Sequence, residues 1–268
     1  MSVNRSIHLS GQLSVNRSVP SIHREAIGFS KVADAYERGR PGYPREVVDW
    51  IVETGSLGPG RVVIDLAAGT GKLTRELVGS GAEVIAVEPI AEMLAALAAA
   101  VPDVRLVTGT SEATTFPADS ADVVTIGQAF HWFAGEPALA EIASVLRPAG
   151  VLVLVWNRRD LGQSLQAKVT RIIEPYRSDT PSHVSGRWRD VMEATARFDM
   201  IGEIHVASEQ VVDRSGLVDR VRSISFIANL PDRERSAVLA EIAELAPEEP
   251  AEIALRYVTD AYAYRASY

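Results

Sequence analysis

The chain contains no cysteine, so disulfides, thiolate metal ligands and a cysteine nucleophile are all excluded. It also lacks an excess of positive charge. The 27 Lys and Arg residues are outnumbered by 35 Asp and Glu, for a net charge of -8, which disfavours a broad contact with nucleic-acid phosphates because these require clustered cations. Long hydrophobic runs are missing as well. The most apolar stretches, Ile90 to Val101 and Val151 to Trp156, fall far short of the roughly 20 residues that span a bilayer. The first residues carry scattered Arg and Ser but no apolar core ahead of a small-residue cleavage site, so no secretory signal is read there. These absences lead to the expectation of a cytoplasmic protein, with no membrane or nucleic-acid partner, that acts on a small molecule.

What is present is an ordinary globular composition. Apolar residues make up 47% and charged residues 23% of 268 residues, enough for one large α/β domain with a substantial core. Residues 1–24 read as a polar tail in which Ser2 to Ser6 is echoed by Ser14 to Ser18, too short for a structural repeat. Residues 25–268 read as the domain. Helical spacing runs from Glu25 to Glu37 and from Pro44 to Thr54, with Pro44 at a first helical position. Short β-branched runs then predict strands at Arg61 to Leu66, Glu83 to Val87, Val104 to Val107, Asp122 to Gly127 and Gly150 to Trp156. Helices are expected after the first, second and fourth, opening at Thr70 or Gly71, at Pro89 and near Glu136, the last closed by Pro148 and Gly150. Beyond Trp156 the pattern predicts helices over Leu161 to Tyr176 and Trp188 to Arg197, then a strand over Ile201 to Val212. Helices over Ser215 to Ala228 and Asp232 to Leu245, a turn at Pro247 to Pro250 and a strand over Ile253 to Tyr262 follow. The expected architecture is a mostly parallel sheet ending in an antiparallel strand. Helical insertions near 160–198 and 214–246 form a lid over the carboxyl edge, where α/β sheets place their ligands.

The chemistry is concentrated in Val62-Val63-Ile64-Asp65-Leu66-Ala67-Ala68-Gly69-Thr70-Gly71-Lys72-Leu73-Thr74, a strand that runs into a turn of small residues. Such a turn lets backbone approach a ligand closely. A phosphate-binding P-loop is excluded, since its first glycine position holds Leu66 and its hydroxyl position Leu73. The dinucleotide fingerprint fails at its final small residue, where Thr74 stands. Asp65 at the strand end would face a pyrophosphate at low dielectric, whereas a cationic ligand suits it. Glu88, about 20 residues beyond the turn, stands where an acidic side chain accepts from ribose hydroxyls. S-adenosylmethionine, which has an ammonium, a sulfonium and no phosphate, fits both acids. An NAD-dependent oxidoreductase and a non-catalytic S-adenosylmethionine-binding module remain as alternatives.

The same strand and turn resemble those of class I S-adenosylmethionine-dependent methyltransferases, as do the Glu88 strand end, Gly109-Thr110-Ser111-Glu112, and Ala121 to Phe133. Within that class the stretch from Phe29 to Trp156, with Tyr36-Glu37-Arg38-Gly39-Arg40-Pro41-Gly42-Tyr43-Pro44, is most similar to the trans-aconitate methyltransferase-like group. The resemblance implies a Rossmann-like fold and methyl transfer from S-adenosylmethionine to a small-molecule acceptor, leaving S-adenosylhomocysteine. It also implies that Asp65 and Gly69 lie along the methionine part, that Glu88 holds the ribose, and that Ala67, Gly71, Pro89 and Met93 also bind the cofactor. Thr110, Ser111 and Glu112 would border adenine, Gln128 and Ala129 would line the floor, and Tyr36 would lie over the cofactor. Many relatives carry Asp where this chain has Thr110.

In-line methyl transfer gains most from alignment and requires neither a metal nor a covalent nucleophile. His131 follows the fourth strand and is the expected general base for a hydroxyl acceptor. Trp132 is expected to wall the substrate space. Arg158, followed by Arg159, is expected to reach a substrate carboxylate from the end of the fifth strand.

Overall fold

The computed structural model describes residues 33–133, 135–247 and 252–267. The expected tail, the first part of the helix expected from Glu25, and most of the Pro247 to Pro250 turn lie outside the described residues. Two helices, α1 (Ala33–Gly39) and α2 (Arg45–Thr54), precede the sheet. Pro44 is the extended residue just before α2, φ -58° and ψ 143°, one position earlier than expected.

Five strands run parallel: β1 (Val62–Leu66), β2 (Glu83–Val87), β3 (Arg105–Val107), β4 (Ala121–Gly127) and β5 (Leu146–Arg159). Helices α3 (Thr74–Val78), α4 (Ala91–Ala100) and α5 (Glu136–Val145) follow β1, β2 and β4. After α6 (Ser164–Ile173) and α7 (Arg187–Ala194) come β6 (Phe198–Val212), α8 (Arg214–Arg222), α9 (Ser225–Ala228), α10 (Asp232–Ala243) and β7 (Ile253–Ala266). The sheet order is β3-β2-β1-β4-β5-β7-β6, and β7 is antiparallel to both its neighbours. The chain reverses direction across the sheet between β1 and β4. The carboxyl ends of those two strands therefore flank a crevice that no crossover covers.

Both faces of the sheet are buried. On one, Ile64, Val124, Ile126, Leu152 and Leu154 pack with Leu139 and Ile142 of α5. On the other, Val63, Val123, Val151 and Val153 pack with Val47 and Ile51 of α2 and Leu77 of α3. This explains why the central strands read as continuous apolar runs rather than alternating ones. A third core joins α6 (Val169, Ile173), α8 (Leu217, Val221), α10 (Val238, Ile242) and Leu255 and Tyr257 of β7. Both expected insertions contribute to this cap. Helix α7 does not, because its Trp188 and Met192 pack into the first face of the main core.

Among the boundaries that differ from expectation, three have clear local reasons. Gly69 and Gly71 have φ of 59° and 84°, outside the helical region, so α3 begins at Thr74 rather than at Thr70 or Gly71. Leu146 is already extended and pairs with Ala121, so β5 starts before Pro148, which sits in the irregular stretch where Ala149 has φ 63°. The single helix expected over Ser215 to Ala228 breaks at Ile224, ψ 128°, next to Ser223, whose carbonyl accepts from Arg40 Nη2 at 2.9 Å. Helix α1 lies so close to α8 that a Cβ on Gly39 would come within 2.5 Å of the Arg220 backbone nitrogen. Arg38 Nε reaches Asp219 Oδ2 at 2.8 Å across the same contact.

At the amino edge of the sheet the buried Asp122 carboxylate accepts from Val62 N at 2.8 Å, from Arg61 Nη1 at 2.6 Å and from Arg147. Charged hydrogen bonds of this kind contribute about 1.5–3 kcal/mol each, less where the partner is solvated. Asp122→Ala is expected to destabilise the fold by about 2 kcal/mol in urea unfolding. Cofactor affinity should be unchanged, because the crevice lies at the opposite edge.

Candidate active site

β1 delivers Asp65 to the crevice in full burial, where Thr74 Oγ1 donates to Oδ2 at 2.6 Å and Thr125 Oγ1 to Oδ1 at 2.9 Å. Burial lifts its pKa to about 6, and the two hydroxyls offset part of that rise. The chain then turns through Ala67, Gly69 and Gly71, all at positive φ. The two glycines have different jobs. A Cβ at Gly71 would meet Leu97 Cγ at 2.8 Å, whereas one at Gly69 would meet nothing within 4 Å and project into open space.

Glu88, buried at the end of β2, ties this turn down. Its Oε2 accepts from Gly69 N and its Oε1 from Ile90 N, both at 2.9 Å. Burial raises its pKa to about 7, against these backbone hydrogen bonds and with a further push from Asp65. Each oxygen keeps a lone pair for a ligand hydroxyl. From above, Glu37 of α1 accepts from Thr70 Oγ1 and Arg75 Nη2, both at 2.6 Å, with Lys72 Nζ at 3.7 Å. Burial opposes its ionisation, but Thr70 and Arg75 outweigh it and hold the carboxyl below its usual range.

The other expected cofactor residues surround the same crevice. Gln128 has φ 65° and donates its N–H to Val155 O at 2.7 Å. The Thr110 to Ala113 turn carries a buried Thr110 Oγ1 with no hydrogen-bond partner among the described residues, and Ser111 is buried beside Glu112. Ala129 packs against the main core, Pro89 is half-buried, and Met93 is buried in α4. The sequence reading missed Thr74, Thr125 and Tyr43. Thr74 is the residue that spoiled the dinucleotide fingerprint, and that departure was the available signal. Tyr43 is accommodated because Gly127 has no side chain: a Cβ there would lie 2.5 Å from its hydroxyl.

A narrow space of about 30 Å³ bordered by Asp65, Ala67, Tyr43 and Lys72 shares Tyr36, Arg40, Gln128, Asn157 and Arg220 with a larger cavity of about 840 Å³ under the cap. His131, Trp132 and Arg158 line the larger one. Two of these depart from their expected roles. The Trp156 indole N–H donates to His131 Nδ1 at 3.2 Å, and burial, followed by the His183 and Arg177 charges, pulls the imidazole pKa down to about 3. The neutral ring therefore carries its proton on Nε2, and it has no free lone pair to act as a base. Arg158 is exposed and its Nε is taken by Asp260 Oδ2 at 2.7 Å. The alternation of β5 sends the neighbouring Arg159 the other way, where its Nε and Nη2 are buried.

A buried acid at the end of the central strand, a turn open at Gly69, a second acid on β2 and an unpartnered hydroxyl at Thr110 define a Rossmann-like enzyme for an adenosine-containing cationic cofactor. A family model described as a methyltransferase domain matches residues 64–154. An uncharacterized methyltransferase of Mycobacterium tuberculosis is 37% identical over 239 residues, 87% of this chain and 93% of that protein. A solved structure assigned as a type II methyltransferase from Anaeromyxobacter dehalogenans has a TM-score of 0.64 over 84% of this chain and 97% of that one, at 24% identity. The cyclase SpnF has a TM-score of 0.57 over 92% of this chain and 96% of its own, at 15% identity, and so shares the fold. The chain belongs to the class I S-adenosylmethionine-dependent methyltransferases, which sets aside both the NAD-dependent oxidoreductase and the non-catalytic module.

Gly69→Val should abolish S-adenosylmethionine binding in calorimetry while the protein stays folded. Both glycines stand at positive φ, so each substitution should lower the unfolding midpoint, and Gly71→Val should lower it further because its side chain also meets Leu97. Folding raises Asp65 from 3.8 and Glu88 from 4.5 to about 6 and 7. Their contribution to stability is therefore fullest below pH 4 and is lost as pH climbs through 6 and 7. A cation and ribose donors favour the ionised acids, so cofactor affinity should rise between pH 5 and 8 by about tenfold per pKa unit restored. Asp65→Asn should remove the lower inflection.

Proposed function

We propose that the acceptor is a small molecule held in the 840 Å³ cavity and methylated where that cavity meets the cofactor crevice. The observation that carries this reading is the shared wall of Tyr36, Gln128 and Asn157 between the two spaces. The volume is that of a small-molecule pocket, and the acidic chain offers nucleic acid little attraction. The trans-aconitate methyltransferase-like grouping and a cytoplasmic location belong to the same proposal. No helix among the described residues is long and apolar enough to cross a membrane.

In this reading Asp65 and the backbone at Gly69 hold the methionine part, Glu88 the ribose, and Thr110 Oγ1 with Ser111 and Glu112 the adenine. Gln128 and Ala129 form the floor and Tyr36 the cover. When bound, S-adenosylmethionine supplies a methyl group on a sulfonium, electrophilic at carbon. The chain's own contribution is alignment and exclusion of water. Trp132 walls the acceptor space. His131, fixed by Trp156, presents Nε2–H as a donor that orients the acceptor, and an acceptor that arrives ionised needs no base.

Calorimetry should show saturable binding of S-adenosylmethionine and S-adenosylhomocysteine and none of NAD. Turnover on a panel of small molecules, with none on protein or RNA, tests the acceptor class. His131→Asn should reduce turnover about tenfold, the worth of one hydrogen bond of about 1–1.5 kcal/mol. Cofactor affinity should be unchanged, and at saturating S-adenosylmethionine the pH–rate profile should have the same shape in both proteins. A limb that appears in the wild type and vanishes in the variant would restore the base.

A further inference from the structure

The arginines at and near the larger cavity fall into two groups, those with a carboxylate and those without. Arg158 has Asp260 at 2.7 Å, Arg177 has Glu174 at 2.8 Å and Arg38 has Asp219 at 2.8 Å. Arg159 at the end of β5, Arg220 on α8 and Arg40 after α1 have none among the described residues. Arg159 Nε and Nη2, Arg220 Nη1 and Thr170 Oγ1 are buried with no hydrogen-bond partner among them. Arg220, itself 5% exposed, is fixed by Nε donating to Tyr257 Oη at 3.0 Å, and Arg40 is fixed by Nε donating to Ser223 Oγ at 3.0 Å. Asp160 and Glu174 also line the cavity, but Asp160 Oδ1 accepts from Gly162 N and Glu174 from Arg177.

A buried cation without a counter-charge is costly, and proteins retain one where something else neutralises it. The unpartnered Nε and Nη2 of Arg159 form the edge of the guanidinium that grips a planar oxyanion in two parallel bonds. Burial, followed by the Arg220 charge, lowers Arg159 to about 9 and Arg40 to about 10, so both remain protonated at neutral pH. Three elements, β5, α6 and α8, converge on this point. None of Arg159, Thr170 and Arg220 lies in the stretch that carries the sequence resemblance.

We propose that Arg159 and Arg220, with Thr170 Oγ1 and Arg40 on the wall of the same cavity, form an oxyanion subsite for a negatively charged acceptor. This rests on the larger cavity being the acceptor site. The anion anchors the molecule while another of its atoms meets the methyl group.

The test uses the full chain and glutarate, inorganic phosphate and chloride at matched ionic strength, with thermal unfolding and calorimetry as readouts. Glutarate or phosphate should raise the unfolding temperature saturably above the chloride control, and whichever binds more tightly assigns the oxyanion as carboxylate or phosphate. Arg159→Gln and Arg220→Gln should weaken that binding at least tenfold, while Arg158→Gln changes it less than twofold. Without anion, Arg159→Gln should unfold no lower than the wild type, since it removes an uncompensated charge. A structural arginine would do the opposite. A readout free of variants is phenylglyoxal labelling of the wild type followed by peptide mass spectrometry, in which glutarate should protect Arg159. Absence of saturable anion binding, or labelling of Arg159 unaffected by anion, overturns the subsite even where S-adenosylhomocysteine binds normally. Failure of S-adenosylhomocysteine to bind while the anion does would strike the reading of the crevice instead.

Discussion

The site depends on a carboxylate that folding buries against its preference. Asp65 ends the central strand, and the two threonines that hold it come from different elements, Thr74 from the first turn of α3 and Thr125 from the adjacent strand β4. Those bonds fix how the turn leaves β1 relative to the strand on the other side of the topological reversal. Glu88 completes the frame by drawing the Gly69 amide toward β2. Two buried acids with few cations of their own are an unfavourable arrangement for an isolated protein. It becomes favourable when a positively charged, hydroxyl-bearing ligand enters, which is the reason a methyltransferase can maintain it.

Much of this could be read before any coordinates. The five parallel strands follow from β-branched runs bounded by glycine and proline, and burial on both faces made those runs continuous. Asp65, Gly69 and Glu88 were legible because their spacing reflects the strand–turn–helix geometry itself. What could not be read were features fixed by partners distant in sequence. His131 looks like a base until Trp156, 25 residues away, is seen to occupy Nδ1. Arg158 and Arg159 are indistinguishable as neighbours in a string, and only the pleat and Asp260 on β7 separate the bound one from the unbound one. Helix α7 is about as amphipathic as α6 of the cap, and nothing local says that Trp188 joins the main core instead.

The sheet and its glycine turn are a general cofactor mount. Beside that mount stands the cap, where α6, α8, α9 and α10 share a core of their own.

The close contact of α1 with α8 has a thermodynamic consequence. Gly39 lets the two backbones meet with no space for a side chain, and the Arg38–Asp219 and Arg40–Ser223 bonds fasten them together. One end of this paired unit carries Glu37 over the cofactor turn, and the other carries Arg220 to the wall of the larger cavity. A molecule that orders either end reduces the entropy still to be lost at the other. Ligands that engage the two ends would be linked energetically through this unit as well as by direct contact, and whatever factor one contributed to the other's affinity would be returned in equal measure.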